Sequence, residues 1–150
     1  MDAQRQPLGV IGRAPGGDAR AVAWEFPADL RAPSRARNLT RGELAAWKLT
    51  DSADIDDVVL IVDELVANAV VHGRGPIRLR LLLDGLMLRG EISDHSPVAA
   101  PTNTRTSREE DAEDGRGLLL VAALAAACGS TPTGPGKTVW FQFLLTGLAP

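Results

Sequence analysis

Three polar residues, Glu64, Asn68 and His72, recur at intervals of four along one segment of the chain. In an α-helix this spacing places side chains one turn apart on a single stripe. The carboxylate could accept a proton, and the carboxamide oxygen is a hard ligand of the kind that Mg²⁺ accepts. The same residues could also line a solvated helix face, so their meaning depends on the segments around them.

The segment that carries these residues, 54–72, has helical periodicity. Its apolar residues recur at helical spacing, which predicts an amphipathic helix. These residues are Ile55, Val58, Val59, Val62, Val66, Ala69 and Val70. Ser52 or Asp54 is predicted to cap the helix, and an acidic first turn complements the helix dipole. Gly73 is predicted to end the helix.

The rest of the chain divides into short predicted elements. Strands are predicted over 20–26, 77–83, 86–93 and 138–145, with a hairpin turn at Asp84-Gly85. Helices are predicted from Ser34 to about Leu49 and, after Gly115-Arg116-Gly117, over 118–128. This order predicts an α/β fold of the α+β two-layer sandwich type. Its mixed, mostly antiparallel sheet would carry helices packed on one face.

Bulk properties narrow the class of protein. The 150 residues fit one domain, predicted over 20–150 after a flexible leader at 1–19 that is rich in glycine and proline. A net charge of −3 argues against direct nucleic-acid binding. Cys128 lies in an apolar run and is predicted to be a buried hydrophobe. No apolar run is long enough to span a membrane, so a cytoplasmic protein is predicted.

Four segments in chain order resemble the GHKL family of ATPases and kinases. Residues 63–73 resemble its N box, and residues 91–94 its first glycine box. Residues 114–118 resemble its second glycine box, and residues 136–141 the closing segment of its small serine-kinase branch. The resemblance covers roughly residues 20–145. It implies a GHKL ATPase-like fold and an ATP-binding serine/threonine-protein kinase of the anti-sigma-factor type.

The resemblance also implies a role for each site residue. Asn68 would hold the Mg²⁺ that bridges the ATP phosphates. Glu64 would be the catalytic base that accepts or orients the proton of the attacking hydroxyl. Asp94 would accept a hydrogen bond from the exocyclic amine of adenine, although a turn aspartate at a strand end is its ordinary alternative.

Further candidates follow the same motifs. Those assigned to nucleotide binding are His72, Gly115, Arg116, Gly117, Leu118 and Thr138, and His72 could equally be structural. The glycines would open a helix whose free amides face phosphate; a plain loop-to-helix junction is the alternative. Residues 95–114 would form a lid over the nucleotide, with Arg105 and Arg108 as candidates to reach phosphate. Lys137 is predicted to be exposed.

The partners are implied by the resemblance alone. The protein would phosphorylate an antagonist (anti-anti-sigma) protein and bind a sigma factor, and a homodimer is possible. A second hypothesis is a non-catalytic partner-switching module with a degenerate nucleotide site, because residues 95–98 replace the usual glycines after Asp94. A gyrase-type ATPase is disfavoured, since the sequence contains no recognisable transducer region.

Overall fold

The computed structural model describes residues 9–10, 19–72, 74–96 and 112–146 of the chain. These residues form six strands and three helices. In chain order the elements are β1 (Gly9–Val10), β2 (Arg20–Phe26), α1 (Ala32–Ala46), α2 (Ser52–His72), β3 (Ile77–Asp84), β4 (Met87–Asp94), α3 (Ala112–Leu124), β5 (Ala127–Thr133) and β6 (Gly136–Leu144).

The strands form one sheet in the order β1-β2-β3-β4-β6-β5. Every described pair of neighbouring strands is antiparallel. The predicted hairpin between β3 and β4 turns at Gly85, whose φ of 63° is a conformation that glycine adopts without steric cost. The predicted α+β two-layer fold with a mostly antiparallel sheet is therefore confirmed.

One face of the sheet is apolar and packs against the helices. Along β3 the residues with odd numbers, from Ile77 to Leu83, are buried, as the two-residue period of a strand requires. They join one hydrophobic cluster with residues of α2 such as Val58, Val62 and Val66. The face opposite the helices carries polar and charged side chains, including Arg80 and Glu91.

Helix α2 is capped differently from the prediction. The carboxylate of Asp51 accepts the main-chain N–H of Asp54 at 2.9 Å, so Asp51 is the N-cap in place of Ser52 or Asp54. Asp54 instead is 5% exposed, and its carboxylate accepts both the N–H and the hydroxyl of Thr146 at 2.9 Å. The predicted end at Gly73 lies outside the described residues, and α2 extends to His72.

Helix α1 is displaced from its predicted bounds at both ends. It begins at Ala32, with Arg31 as N-cap, and ends at Ala46. The predicted cap, Ser34, therefore lies inside the first turn. Pro33 also lies there, a position that proline tolerates because the first amides of a helix have no partner within it.

The apolar run after Gly117 forms two elements. Helix α3 ends at Leu124, and Cys128 lies in β5, opposite Phe141 of β6. The predicted helix over 118–128 is therefore wrong at both ends, since α3 also begins earlier, at Ala112. Cys128 is exposed, because β5 is an edge strand, so its predicted burial is wrong as well.

The N-terminal segment contributes one short strand. Gly9 and Val10 of β1 pair with Ala23 and Val22 of β2. The other residues of the predicted leader, 1–8 and 11–18, lie outside the described residues, so its flexibility stays a prediction. Within the described ranges, no helix combines the length and apolarity needed to cross a membrane.

Candidate functional site

The N-box helix and the second glycine segment meet at Glu64 and Gly117. A β-carbon added to Gly117 would overlap Oε1 of Glu64 and lie 3.3 Å from its Cδ. With any larger residue at position 117, the Glu64 carboxylate would have to move from this position. The structure thus places two of the predicted site residues side by side, with Leu118 buried next to them.

The three polar residues of α2 lie along one stripe, as their helical spacing requires. Glu64 and Asn68 are half-buried, and His72 is exposed in the last turn. Glu64 and Asn68 are therefore placed one turn apart beside the apolar face of the helix. The Glu64 carboxylate lies next to Gly117 of α3.

The glycines of 115–117 do not open α3. The helix begins at Ala112, so Gly115, Arg116 and Gly117 belong to its first two turns. The unpaired amides of a helix belong to its first turn, and the amides of Arg116 and Gly117 are thus bonded within the helix. An amide cradle for phosphate would have to come from the residues that precede Gly115.

Asp94 ends strand β4, as predicted, and its carboxylate is buried. The residue is 4% exposed. Its oxygens lie 2.9 and 3.1 Å from Nζ of Lys137, and Oδ1 also accepts the N–H of Ser96 at 2.7 Å. Gly136 permits this close approach of β6, since a β-carbon there would overlap the main-chain oxygen of Asp94.

Lys137 is the site residue that sequence reasoning missed. It is 5% exposed, so its predicted exposure is wrong. The alternation of β6 contained the signal, because its apolar residues Val139, Phe141 and Phe143 recur at every second position. A period of two then places Lys137 on the same face as these residues.

Thr138 lies on the opposite face of the sheet from Asp94. Its hydroxyl is 2.7 Å from Oγ of Ser93 and 3.0 Å from Oγ1 of Thr133. Successive residues of a strand point to opposite faces, so Thr138 and its neighbour Lys137 lie on opposite faces of the sheet. That Thr138 contacts the nucleotide from the last strand stays a prediction.

The donor set tests whether a divalent cation fits. Among the described residues, no group of three or more His, Cys, Asp or Glu side chains could hold a metal ion. Asn68 offers one carboxamide oxygen, which suits Mg²⁺ when phosphate oxygens and water complete its octahedral shell. The predicted lid falls largely on residues 97–111, including Arg105 and Arg108, and these lie outside the described residues.

The fold and the site together define a class of protein. In this two-layer α+β domain, Glu64 of α2 lies against Gly117 of α3, and strand β4 ends at the buried Asp94. This is the arrangement that the resemblance to GHKL domains implies. Residues 26–143 match the histidine kinase-like ATPase domain family. The chain belongs to this family.

One solved structure is similar over most of the chain. It contains the RsbU and RsbW domains of Rv1364c from Mycobacterium tuberculosis, with a TM-score of 0.62 and 22% sequence identity. The match covers 83% of this chain but 32% of that one, so the present chain corresponds to a minor part of its length. At this identity the similarity shows the fold. No curated protein matches the chain.

Proposed function

We propose that the protein is an ATP-binding serine/threonine-protein kinase of the anti-sigma-factor type, which phosphorylates an antagonist protein and regulates a sigma factor by partner switching. Membership of the histidine kinase-like ATPase family supports nucleotide binding. Similarity to a structure that contains an RsbW domain supports the anti-sigma branch. The observation that carries the proposal is the packing of Gly117 against the Glu64 carboxylate.

Each residue has a defined task in this proposal. Glu64 accepts the proton of the attacking serine hydroxyl. As this proton leaves, the serine oxygen bonds to the γ-phosphorus of ATP, and ADP is released as the leaving group. Asn68 would hold Mg²⁺, which when bound neutralises charge on the phosphate oxygens. Asp94 binds the base. Because Glu64 and Asn68 are one turn apart on a rigid helix, the proton acceptor and the phosphates keep a fixed separation.

The test is transfer of radiolabelled phosphate from ATP to candidate antagonist proteins. Glu64→Gln should lower transfer by about 10²–10⁴-fold, the usual contribution of a positioned base, and should retain Mg-ATP binding. Asn68→Ala should weaken binding itself, and only when Mg²⁺ is present, since it removes an oxygen ligand. Calorimetric titration with ATP, with and without Mg²⁺, separates the two effects.

Asp63 provides a matched control on the same helix. Its carboxylate pairs with Arg37 at 2.7 Å on the exposed side of α2, so Asp63→Asn should leave both transfer and binding unchanged. Loss of transfer in Asp63→Asn equal to that in Glu64→Gln would show that the assignment of the base is wrong. Equal loss of ATP binding in Glu64→Gln and Asn68→Ala would contradict their separate roles.

A non-catalytic partner-switching module is the second candidate, and the Asp94–Lys137 pair favours it. The Asp94 carboxylate is already bonded to the Lys137 ammonium, so it is less available to accept a hydrogen bond from adenine. Sigma-factor binding without label transfer to any antagonist protein would support this candidate and remove the kinase proposal. Label transfer that depends on Glu64 would decide for the kinase.

A further inference from the structure

The Asp94–Lys137 ion pair lies on the face of the sheet that carries the helices. Asp94 and Lys137 are register partners across β4 and β6. The next pair on the same face is Ile92 of β4 with Val139 of β6, and Ile92 is buried in the core cluster. Because a strand repeats every two residues, the ion pair continues this apolar row to the edge where both strands meet the loops.

The acceptor capacity of Asp94 is mostly used within the protein. An ionised carboxylate offers about four acceptor positions. Lys137 occupies one on each oxygen, and the N–H of Ser96 occupies another on Oδ1. The side chains of Asp94 and Lys137 are 2% and 6% exposed. The pair is therefore neutral as a unit and closed to solvent.

We propose that Lys137 competes internally for the nucleobase position. Its ammonium occupies the place on Asp94 that the exocyclic amine of a 6-aminopurine would take, and it thereby lowers the affinity for ATP. This inference rests on the proposed function, in which Asp94 receives the base. Lys137 is a specificity-determining residue in this scheme, since it decides which donor Asp94 accepts.

The competition follows from the strengths of the two donors. The amine of adenine is neutral, whereas hydrogen bonds between an ammonium and a carboxylate are charge-assisted and stronger. A nucleotide that reaches Asp94 must displace the ammonium and return it to water or to a phosphate. If the ion pair only held β4 against β6, loss of Lys137 would weaken or not change ATP binding, so the two explanations differ in sign.

The experiment measures Mg-ATP and Mg-ITP binding to the full chain by calorimetry. Lys137→Met keeps the unbranched stem without the charge, and ATP should bind at least about tenfold tighter, the factor that one charged hydrogen bond commonly supplies. ITP should gain less, because its 6-oxo group cannot donate to Asp94. Lys137→Gln, whose neutral amide can still donate to the carboxylate, should show a smaller gain of the same sign.

Lys137→Gln also protects the test if Lys137→Met folds poorly with an unpaired buried carboxylate. Lys48→Met is the matched control, since Lys48 is exposed and the change in net charge is the same; its ATP affinity should equal that of the wild type. If the wild type binds Mg-ATP and Lys137→Gln binds it equally or more weakly, the proposed competition is wrong and the proposed function is not affected. Equal gains for ATP and ITP would also overturn the competition. Absence of Mg-ATP binding in the wild type and both Lys137 variants would overturn the proposed function as well.

Discussion

At the scale of single residues, Gly117 sets the distance between α2 and α3. Gly117→Ala would place a β-carbon against the Glu64 carboxylate, so the carboxylate must rotate or α3 must move away. Phosphate transfer should fall at least about tenfold. Unfolding free energy should change by less than about 1 kcal/mol, because the Glu64 carboxylate is the flexible end of its side chain and alanine is favoured over glycine in a helix by about 0.5–1 kcal/mol. Label transfer and urea denaturation measure the two effects.

Gly42 supplies the control for this substitution. It lies within α1, and a β-carbon there would meet nothing within 4 Å. Gly42→Ala should therefore stabilise the protein by about 0.5–1 kcal/mol, since alanine loses less backbone entropy in a helix, and should not change transfer. Wild-type transfer by Gly117→Ala would mean that the Glu64–Gly117 contact is not part of the site.

The sequence predicted the placement of some candidate-site residues and not of others for a physical reason. Glu64 and Asn68 were placed correctly on one stripe because α2 has seven apolar residues at helical spacing. Lys137 was misplaced because a lysine is rarely buried without a partner, and its partner is 43 positions away in sequence. Only the pairing of β4 with β6 brings Asp94 within reach, and that pairing cannot be read from either strand alone.

At the scale of elements, Asp54 joins the start of α2 to the chain after β6. Its carboxylate accepts two hydrogen bonds from Thr146, and it also lies in the first turn of α2, where a negative charge is favourable. Asp54→Ala leaves the N–H of Thr146 without this acceptor. The unfolding free energy should fall by about 1–3 kcal/mol, as measured by urea denaturation.

Asp56 is the control, two residues after Asp54 in the same helix. Its carboxylate pairs with Arg41 at 3.0 Å, and 64% of its side chain is exposed. Exposed ion pairs contribute about 0–1 kcal/mol, so Asp56→Ala should cost less than Asp54→Ala. If the two variants lose equal stability, the link between α2 and Thr146 does not contribute to folding.

Strand β5 shows where element prediction fails. Its sequence, Ala127 to Thr133, contains Gly129 and Pro132 and lacks the alternation of a half-buried strand. An edge strand tolerates proline because one side of its backbone has no ladder to complete. Because β5 lacks a strand pattern, its first residues were assigned to the apolar run before them, and the predicted helix extended to Cys128. Strands β3 and β4 were predicted because their alternation reflects burial of one face, and β2 and β6 because large apolar residues recur at every second position.

At the scale of the whole molecule, one apolar cluster connects all three helices with the sheet. It includes Ala36 of α1, Val62 of α2 and Val121 of α3, together with Val22 of β2 and Phe141 of β6. No described helix packs on a separate core. A domain whose elements share one core usually unfolds cooperatively, so the unfolding of this chain is expected to be a single transition.

The three tryptophans report on different parts of that transition. Trp24 and Trp47 belong to the core cluster, whereas Trp140 lies on the opposite face of the sheet, with the Arg89 guanidinium carbon 4.5 Å from its ring centroid. Urea titrations followed by tryptophan fluorescence and by far-ultraviolet circular dichroism should give the same midpoint. Trp140→Phe leaves only the core probes, and it should lower the unfolding free energy by less than about 0.5–1 kcal/mol, the whole contribution of an exposed cation–π contact, because phenylalanine keeps a weaker one. Fluorescence and dichroism midpoints that differ in this variant would show that the helical layer and the sheet unfold separately.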